Sequence, residues 1–487
     1  MTTIQKEYGI LVDGGFIRSN SGKTIDVMNP ATGELLSSVA SADSGEADKV
    51  IASAEQAFSK WRKTTRTERA ALMRQIADRF EAEQEYLAQV DIRETGRCLG
   101  ESMLLLSNCI SEFRYMAAAI EAYEETLIQH NNDSFSMVVK EPLGVAVLIL
   151  PWNSPGMLFS WKVAPALAAG NTVIVKPASA APLVVMELGR ICQEVLPPGV
   201  LNVIAGSGRE VGNYLVGHPK TAKISFTGST EVGRFIGKAA AENIVPCSLE
   251  LGGKSANIVF PDAHMDKAIQ FAAMAILSSS GQICVSGSRL FLHEQIYDEF
   301  LEKLKVKFEN VTVGNPVNPE TQMGPVVDKS QMNSILDYID IGKNEGATLL
   351  CGGERLTGGE YDKGCFIAPT IFSNVENSMR IAQEEIFGPV LVVIRFSDET
   401  EVIKMANDSP YGLAAGVWTK DLQRALRVSR SLEAGLVWVN DFLTSIGPFG
   451  GYKKSGLGRE IHKVALEYYS NTKNILVSTS DDIPPIF

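Results

Sequence analysis

Paired cysteines and grouped histidines are both missing from this chain of 487 residues. No two of its seven cysteines have the CxxC spacing, and its five histidines show no spacing typical of metal ligands. A disulfide framework and a cysteine-based zinc site are therefore not expected. We predict a protein without a metal ion, reduced and cytoplasmic in location.

Positive charge is also scarce. The 45 lysines and arginines are outnumbered by 57 acidic residues, which gives a net charge of −12 and a pI of about 5.1. This balance argues against nucleic acids and anionic membranes as partners. We find no apolar run of membrane-spanning length, and residues 1–20 contain charges and glycines where a signal peptide would have an apolar core. With 45% apolar residues, the chain is long enough for two or more domains.

The N-terminal part of the chain predicts short strands followed by helices. Residues 1–42 are rich in glycine and asparagine, with a strand–turn–strand pattern at 25–34. Asp43 and Glu46 have the spacing of a helical capping box. Apolar periodicity predicts a helix after this box, a second one over about 67–90 and a third over about 101–125. Residues 137–142 predict an extended arm.

Alternating strands and helices begin at residue 143. Strand-like runs at 145–150, 172–175, 200–204, 223–226 and 256–260 alternate with helix-like runs at 155–169, 182–196, 209–216 and 231–241. Such alternation is typical of an α/β protein with a doubly wound, mostly parallel sheet, whose ligands bind beyond the carboxyl ends of the strands. Asn153, Lys176 and Gly228 follow these strands closely, so we expect them to converge at that edge.

A single cysteine, Cys284, lies between Ile283 and Val285, directly after the small residues 278–281. Small residues allow close approach of backbone and ligand, so this thiol could be presented to a substrate. The alternative is that Cys284 is a small buried apolar side chain, as free cysteines usually are. This stretch alone leaves both interpretations open and favours the second.

Two further stretches contain groups that could act with a thiol. Glu250 lies between two leucines and before two glycines, where an apolar setting would raise its pKa towards that of a general base. Asn153 lies in a turn between two prolines, and its amide could stabilise an oxyanion. The alternatives are a helix-capping or salt-bridged glutamate and a proline-rich surface turn.

Together these stretches closely resemble the aldehyde dehydrogenase superfamily. Seven motifs occur in the family's order and span nearly the whole chain, which makes the match specific. They are PWNSP at 151–155, KPAS at 176–179, FTGST at 226–230, LELGGK at 249–254, GQIC at 281–284, EIFGP at 385–389 and PFGGYK at 448–453.

The resemblance implies a fold with three parts. A Rossmann-like cofactor domain would comprise residues 1–118 and 142–252, and an α/β catalytic domain residues 253–453. A small β arm for oligomerisation would comprise residues 119–141 and 454–487, with the arm at 137–142 paired to a strand near 473–478. The implied assembly is a homodimer or homotetramer.

The implied reaction is oxidation of an aldehyde to a carboxylic acid through a thiohemiacetal and a thioester. Cys284 would be the nucleophile, Asn153 an oxyanion donor and Glu250 the base that activates water. An acylating enzyme that uses coenzyme A is one alternative, but such members generally lack this glutamate. A structural protein on the same fold is another, but it would need none of the three residues.

The resemblance also implies the cofactor site. NAD or NADP would contact Leu150, Pro151, Trp152, Lys176, Ala178, Ser179, Gly208, Gly228, Ser229, Leu251, Glu385 and Phe387. The segment 206–212 nearly matches the GxGxxG fingerprint, with the last spacing one residue too long, and we interpret it as a strand-to-helix turn. Ser179 stands where members that prefer NAD often have a glutamate, which predicts that NADP is accepted alongside NAD.

The substrate is an aldehyde, and its pocket is predicted to be apolar. The loop at 441–447 is expected to face the substrate. Candidate lining residues are Ser154, Leu158, Trp161, Ile283, Val285, Leu443 and Phe449. Because no arginine is evident for a substrate carboxylate, the set favours aromatic or medium aliphatic aldehydes over succinic semialdehyde and betaine aldehyde.

Overall fold

The computed structural model describes residues 4–444 and 447–481. Its strands in chain order are β1 (Glu7–Tyr8), β2 (Ile10–Val12), β3 (Gly15–Ile17), β4 (Thr24–Met28), β5 (Leu35–Ala40), β6 (Thr126–Asn131), β7 (Ser134–Pro142), β8 (Val145–Ile149), β9 (Thr172–Lys176), β10 (Leu201–Val203), β11 (Thr221–Thr227), β12 (Cys247–Glu250), β13 (Ala256–Val259), β14 (Arg289–His293), β15 (Thr348–Cys351), β16 (Thr370–Ser373), β17 (Val390–Phe396), β18 (Tyr411–Gly412), β19 (Ala414–Trp418), β20 (Leu436–Val439), β21 (Tyr452–Lys453), β22 (Gly456–Leu457) and β23 (Ser470–Ser478).

Fifteen α-helices connect these strands in the described residues. They are α1 (Ser44–Trp61), α2 (Arg66–Ala82), α3 (Gln84–Thr95), α4 (Leu99–Glu121), α5 (Pro155–Ala168), α6 (Leu183–Gln193), α7 (Asn213–Gly217), α8 (Thr230–Glu242), α9 (Met265–Leu277), α10 (Tyr297–Glu309), α11 (Lys329–Asn344), α12 (Arg380–Gln383), α13 (Glu399–Asn407), α14 (Leu422–Ser431) and α15 (Ala465–Tyr468). A π-helix at Gly208–Gly212 and 3₁₀ turns at Ser278–Gly281 and Gly359–Tyr361 complete the helical segments.

The first sheet has eight strands in the order β22-β12-β11-β8-β9-β10-β2-β3. The five from β12 to β10 are parallel; β22 pairs antiparallel with β12, β2 antiparallel with β10, and β3 antiparallel with β2. The predicted doubly wound, mostly parallel sheet is thus confirmed. Strand β12 was not predicted, because its sequence CSLE is short and half polar.

A second sheet has seven strands in the order β15-β16-β17-β14-β13-β19-β20, parallel except for β15. The strand predicted at 256–260 as part of the first alternation is β13, and it lies in the centre of this second sheet. The placement is explained by its parallel pairing with β14 and β19. The alternation therefore runs through two sheets rather than one.

The third sheet, β23-β7-β6, is antiparallel and joins the chain's middle to its end. Strands β7 and β23 pair over nine residues each, from Pro142 with Ser470 to Ser134 with Ser478. The predicted extended arm and its pairing with the C-terminal strand are confirmed. Most side chains of β6 and β23 are exposed.

The N-terminal helices follow their predicted signals with one exception. The capping box of α1 is present, with reciprocal hydrogen bonds between Asp43 and Glu46. The single helix predicted over 67–90 is wrong, because Glu83 leaves the helical conformation (φ −106°, ψ 9°) and separates α2 from α3. No proline or glycine marks this break in the sequence.

No helix in the described part of the chain is both long and apolar enough to cross a membrane.

Candidate active site

The carboxyl edge of the first sheet brings the predicted polar residues together. Strand register pairs Ile149 with Lys176 and with Phe226, and it pairs Thr227 with Glu250, so β8, β9, β11 and β12 end side by side. The backbone pairing of β11 with β12 continues by one more bond, in which the Gly228 N–H donates to the Glu250 carbonyl oxygen at 3.0 Å. The predicted convergence at this edge is confirmed.

Cys284 reaches the site through an unusual turn. After α9, three consecutive residues adopt left-handed backbone angles: Ser279 (φ 48°), Ser280 (φ 55°) and Gly281 (φ 73°). A Cβ atom on residue 281 would lie 2.0 Å from the Gly388 carbonyl oxygen, so the turn requires glycine there. Cys284 itself is half-buried. The residue packs against an apolar cluster but is not fully buried, as the alternative interpretation would require.

A pair of glycines lets three segments meet next to Cys284. A Cβ atom on Gly253 would lie 2.3 Å from the Cys284 carbonyl oxygen, and one on Gly252 would lie 2.3 Å from Glu385 Oε2. The Gly253 N–H donates to Glu385 Oε1 at 3.0 Å. The segment after β12, the cysteine loop and Glu385 are therefore in direct contact only because both positions lack a side chain.

The carboxylate of Glu250 is buried and unpaired. Its residue is 3% exposed, and neither oxygen has a hydrogen-bond partner among the described residues. Burial raises its pKa well above the ordinary value; the charge of Glu460 adds to the rise, and Lys162 and Arg459 oppose it. A helix cap and a surface salt bridge are both excluded, because Glu250 ends strand β12 without such a partner.

The surroundings of the Cys284 thiol disfavour its charged form. Burial raises its pKa above the ordinary value, and the charges of Glu385 and Glu250 raise it further. The backbone N–H groups of Val285 and Cys284 act in the opposite direction. Nucleophilic attack needs the thiolate, so formation of the thiolate requires a proton acceptor or an added positive charge at the site.

Asn153 lies inside the protein, against the cysteine loop. It is 7% exposed, and its Nδ2 donates to the Gln282 carbonyl oxygen at 2.9 Å. Gln282 is two residues before Cys284. The alternative of a proline-rich surface turn is therefore wrong, and the amide is held close to the thiol.

Most candidate substrate residues share one apolar cluster. Leu158, Trp161, Val285 and Phe449 are buried in it, and Ile283 and Leu443 are half-buried against it, as is Cys284. The ring centroids of Trp161 and Phe449 are 4.8 Å apart. Ser154 differs, because its hydroxyl accepts a hydrogen bond from the guanidinium of Arg97 at 3.2 Å. Of the predicted substrate loop, residues 445 and 446 lie outside the described residues.

Met157 belongs to the same cluster, although the sequence analysis did not select it. It precedes Trp161 by four residues on α5, so the two side chains share one face of the helix. This helical spacing is the signal that could have identified Met157 from the sequence.

The aromatic candidates for the cofactor site contact each other. Trp152 and Phe387 pack edge to face, with ring centroids 5.3 Å apart, and Phe387 has a left-handed φ of 57°. Leu150 is buried, and Pro151 is half-buried. Burial raises the pKa of the neighbouring Glu385 to about 7, opposed by the Gly253 N–H and by Lys254.

The N-terminus of α8 is another candidate contact at this edge. Gly228 precedes the helix, and the Ser229 hydroxyl caps it by accepting from the Val232 N–H at 3.3 Å. The Thr230 hydroxyl is buried and interacts with Tyr411. A helix N-terminus offers free N–H groups and a positive dipole end, which suits an anion. Leu251 is buried against this helix, because a Cβ atom on Gly233 would lie 2.4 Å from Leu251 Cδ2.

Lys176 and its neighbours form the other side of the candidate cofactor site. Burial lowers the pKa of Lys176 to about 8. Ala178 is half-buried and Ser179 is exposed. Gly208 begins the π-helix that leads into α7, so the predicted strand-to-helix turn is confirmed. A Cβ atom on Gly212 would lie 3.6 Å from Lys176 Cε, which places this turn against the lysine.

Two groups near the site were missed by the sequence analysis. Lys162 and Glu460 form a buried ion pair, and both influence the pKa of Glu250. They are 298 residues apart in the chain, so no local pattern could have connected them. Among residues 4–444 and 447–481, no group of three or more His, Cys, Asp or Glu side chains is arranged to hold a metal ion.

Comparison with known proteins extends over nearly the whole chain. The model of the aldehyde dehydrogenase family matches residues 16–475. A putative aldehyde dehydrogenase from Burkholderia cenocepacia is 38% identical, with 99% of both chains covered and a TM-score of 0.97. Betaine aldehyde dehydrogenase from Staphylococcus aureus, crystallised with NAD⁺, is 37% identical, with 100% of both chains covered and a TM-score of 0.97. An aldehyde dehydrogenase from Bacillus cereus, also in complex with NAD⁺, is 39% identical, with 98% of both chains covered and a TM-score of 0.96.

Proposed function

Because the chain belongs to the aldehyde dehydrogenase family, whose reaction is the oxidation of an aldehyde to its acid, we propose that Cys284, Asn153 and Glu250 perform this reaction here. The observation that carries the proposal is the meeting of a half-buried thiol, a buried amide and an unpaired buried carboxylate at one sheet edge. These groups come from three distant parts of the chain. Their roles are nucleophile, oxyanion donor and general base.

In the first step the Cys284 thiol loses its proton to water, the thiolate adds to the aldehyde carbon, a carbon–sulfur bond forms, and the carbonyl oxygen becomes an oxyanion. The amide nitrogen of Asn153 has two hydrogens, and its bond to Gln282 uses one of them. The second hydrogen is free for the oxyanion, together with the Cys284 backbone N–H. When the carbonyl re-forms, the hydride leaves the carbon with its electron pair, and Cys284 holds the acyl group as a thioester.

In the second step Glu250 accepts a proton from water, and the resulting hydroxide attacks the thioester carbon. The carbon–sulfur bond breaks, the acid leaves, and the Cys284 thiolate is regenerated. A raised pKa suits this role, because a base with a pKa near the working pH both exists as carboxylate and accepts a proton readily.

A bound nicotinamide dinucleotide supplies the acceptor for the hydride. The residues at the sheet edge fit such a group, because the N-terminus of α8 offers N–H groups to phosphate oxygens. Glu385 can accept from ribose hydroxyls, and Phe387 and Trp152 offer aromatic surface. We propose NAD as a cofactor because the S. aureus and B. cereus relatives bind NAD⁺.

We also propose that NADP is accepted, because Ser179 is exposed and uncharged and Lys176 lies three residues before it. A Ser179→Glu variant should lower the ratio of kcat/KM for NADP to that for NAD by about tenfold to a hundredfold, since a carboxylate repels the 2′-phosphate. Steady-state kinetics with both cofactors measures the ratio, and Ser179→Ala is the control. A wild-type enzyme with a strong preference for NAD would contradict the proposal.

The substrate we propose is an aromatic or medium aliphatic aldehyde. The cluster around Cys284 that contains Trp161, Leu158 and Phe449 is apolar and would bury such a side chain. A second candidate is betaine aldehyde, the substrate named for the S. aureus relative. The Trp161–Phe449 ring pair favours it, because aromatic faces attract a quaternary ammonium group.

An aldehyde panel tests the proposed function. Benzaldehyde, hexanal, betaine aldehyde and succinic semialdehyde are each offered with NAD or NADP, with and without coenzyme A. We expect free carboxylic acid as the product, no requirement for coenzyme A, and the highest kcat/KM with benzaldehyde or hexanal. An acyl-coenzyme A product would reject the hydrolytic role of Glu250, and a preference for betaine aldehyde would select the second candidate.

The division into parts remains our proposal as well. Three separate sheets support a cofactor domain (1–118 and 142–252), a catalytic domain (253–453) and an arm (119–141 and 454–487) that serves a homodimer or homotetramer. Strand β22, within the last range, pairs with β12 of the first sheet, so the C-terminal range also completes the cofactor domain. We propose a cytoplasmic location.

A further inference from the structure

Arg97 is a buried arginine that joins separate segments of the site. Its residue is 4% exposed, and its guanidinium forms an ion pair with Asp91 at 3.3 Å. Nη2 donates to the main-chain oxygen of Asn153 and to the Ser154 hydroxyl, and Nε donates to the Ser279 hydroxyl at 3.0 Å. One planar cation thus contacts the oxyanion donor's backbone on one side and the turn before Cys284 on the other.

The turn that Arg97 contacts needs support. Ser279 and Ser280 both have left-handed backbone angles, which residues with a side chain adopt only when their surroundings hold them there. Glu101 supplies part of this support, because its carboxylate accepts from the Ser279 N–H at 3.0 Å and from the hydroxyl at 3.2 Å. Arg97 adds a bond to the same hydroxyl, and the Ser280 hydroxyl donates to the Gly324 carbonyl oxygen at 2.8 Å.

These contacts close a ring of hydrogen bonds around the nucleophile loop. Asn153 Nδ2 donates to the Gln282 carbonyl oxygen at 2.9 Å, and Gln282 Nε2 donates to the Ser279 carbonyl oxygen at 3.0 Å. Arg97 completes the ring by bonding both Ser279 and Asn153. Cys284 follows this ring by two residues, so its distance from the Asn153 amide depends on the ring.

We propose that Arg97 is a positioning residue for the first half of the reaction. It holds the Asn153 amide and the turn at 279 in one fixed geometry, so that thiol addition and oxyanion stabilisation occur together. Misplacing reacting groups by about 1 Å can cost roughly a hundredfold in rate. This inference rests on the roles proposed above for Cys284 and Asn153. It goes beyond them by assigning a function to a residue whose hydrogen bonds hold the two groups in place.

The test is the pre-steady-state burst of reduced cofactor after mixing enzyme, NAD⁺ and aldehyde. Arg97→Met should lower the burst rate constant by about tenfold to a hundredfold. The KM for NAD⁺ should change by less than about twofold, because Arg97 contacts no candidate cofactor residue through its hydrogen bonds. Arg97→Lys should recover part of the loss, because a single ammonium cannot bridge all the partners of a planar guanidinium.

Arg69→Met is the matched control. Arg69 is 7% exposed and donates to the carbonyl oxygens of Ala168 at 2.8 Å and of Thr64 at 2.6 Å, so it is a similarly buried arginine away from the cysteine loop. Its loss should lower Tm and leave the burst rate constant within about twofold of wild type. An equal slowing in both variants, or no slowing in folded Arg97→Met, would overturn the inference.

If Arg97→Met does not fold, Ser279→Ala tests the positioning role of Arg97 instead. It removes the hydroxyl that Arg97 and Glu101 share and leaves the main-chain bonds in place. We expect the burst to slow by about threefold to tenfold, the range that one lost hydrogen bond of ordinary strength corresponds to. An unchanged burst at unchanged Tm would refute the inference. The proposed thioester pathway fails separately if intact-protein mass spectrometry finds no acyl group on Cys284 of Glu250→Gln during aldehyde oxidation.

Discussion

Cys284→Ala should abolish aldehyde oxidation, with kcat falling by about 10⁴- to 10⁶-fold, the range measured when a covalent catalyst loses a member of its catalytic unit. The reason is that alanine cannot form the carbon–sulfur bond on which both half-reactions depend. Reduced-cofactor formation measures the loss. Because Asn153 and the glycine pair at 252–253 remain, the variant should still fold and bind cofactor.

Cys351→Ala is the control for this variant. Cys351 is also a half-buried free cysteine, but it lies on the edge strand β15 of the second sheet, and burial raises its pKa to about 11. Its removal should leave kcat within about twofold of wild type. Residual activity of Cys284→Ala above a hundredth of wild type would show that another group is the nucleophile.

Glu250→Gln should separate the two half-reactions. We expect the burst of reduced cofactor to remain, while steady-state kcat falls by about 10²- to 10⁴-fold, the usual contribution of a general base. Glutamine fills the same space but cannot accept a proton from water, so the thioester accumulates on Cys284. Stopped-flow absorbance measures both phases, and intact-protein mass spectrometry detects the acyl group. A normal steady-state rate would reject Glu250 as the base.

The pH dependence of kcat is a second test of the role of Glu250 as general base. Burial raises the pKa of Glu250, and the reaction needs its carboxylate form. The wild-type kcat should therefore fall as the pH decreases through this raised pKa, and Glu250→Gln should lose that limb of the profile. Glu112→Gln is the control, because burial and the charge of Glu460 raise the pKa of Glu112 to about 7, but Glu112 is not among the groups that shift the pKa of Glu250. Its profile should match that of wild type.

Local sequence patterns predicted those strands and helix ends that depend on neighbouring residues alone. Buried strands bounded by helices predicted the first sheet, and Asp43 with Glu46 predicted the start of α1. Strand β12, which ends at Glu250, was not predicted, because its side chains show neither alternation nor a continuous apolar run. The chain's motifs identified Glu250 even though its secondary structure was missed.

Contacts between distant residues were beyond the reach of any local pattern. Arg97 is separated from Asn153 by 56 positions and from Ser279 by 182, and its own surroundings in the sequence contain no signal for either partner. The left-handed turn at 279 and 280 could not be predicted either, because left-handed backbone angles are common for glycine but rare for serine. Only the packed fold shows that these residues support the nucleophile.

The pairing of β12 with β22 has a consequence for how the enzyme is made. The strand that ends at Glu250 is flanked on its outer side by residues 456 and 457, which leave the ribosome some two hundred positions later. Until then β12 is an unpaired edge strand of the nascent sheet, beside the proposed catalytic base, and a strand of another chain could pair with it. Because all strands of the second sheet precede residue 456, the catalytic edge of the first sheet is completed only after the second sheet has been synthesised.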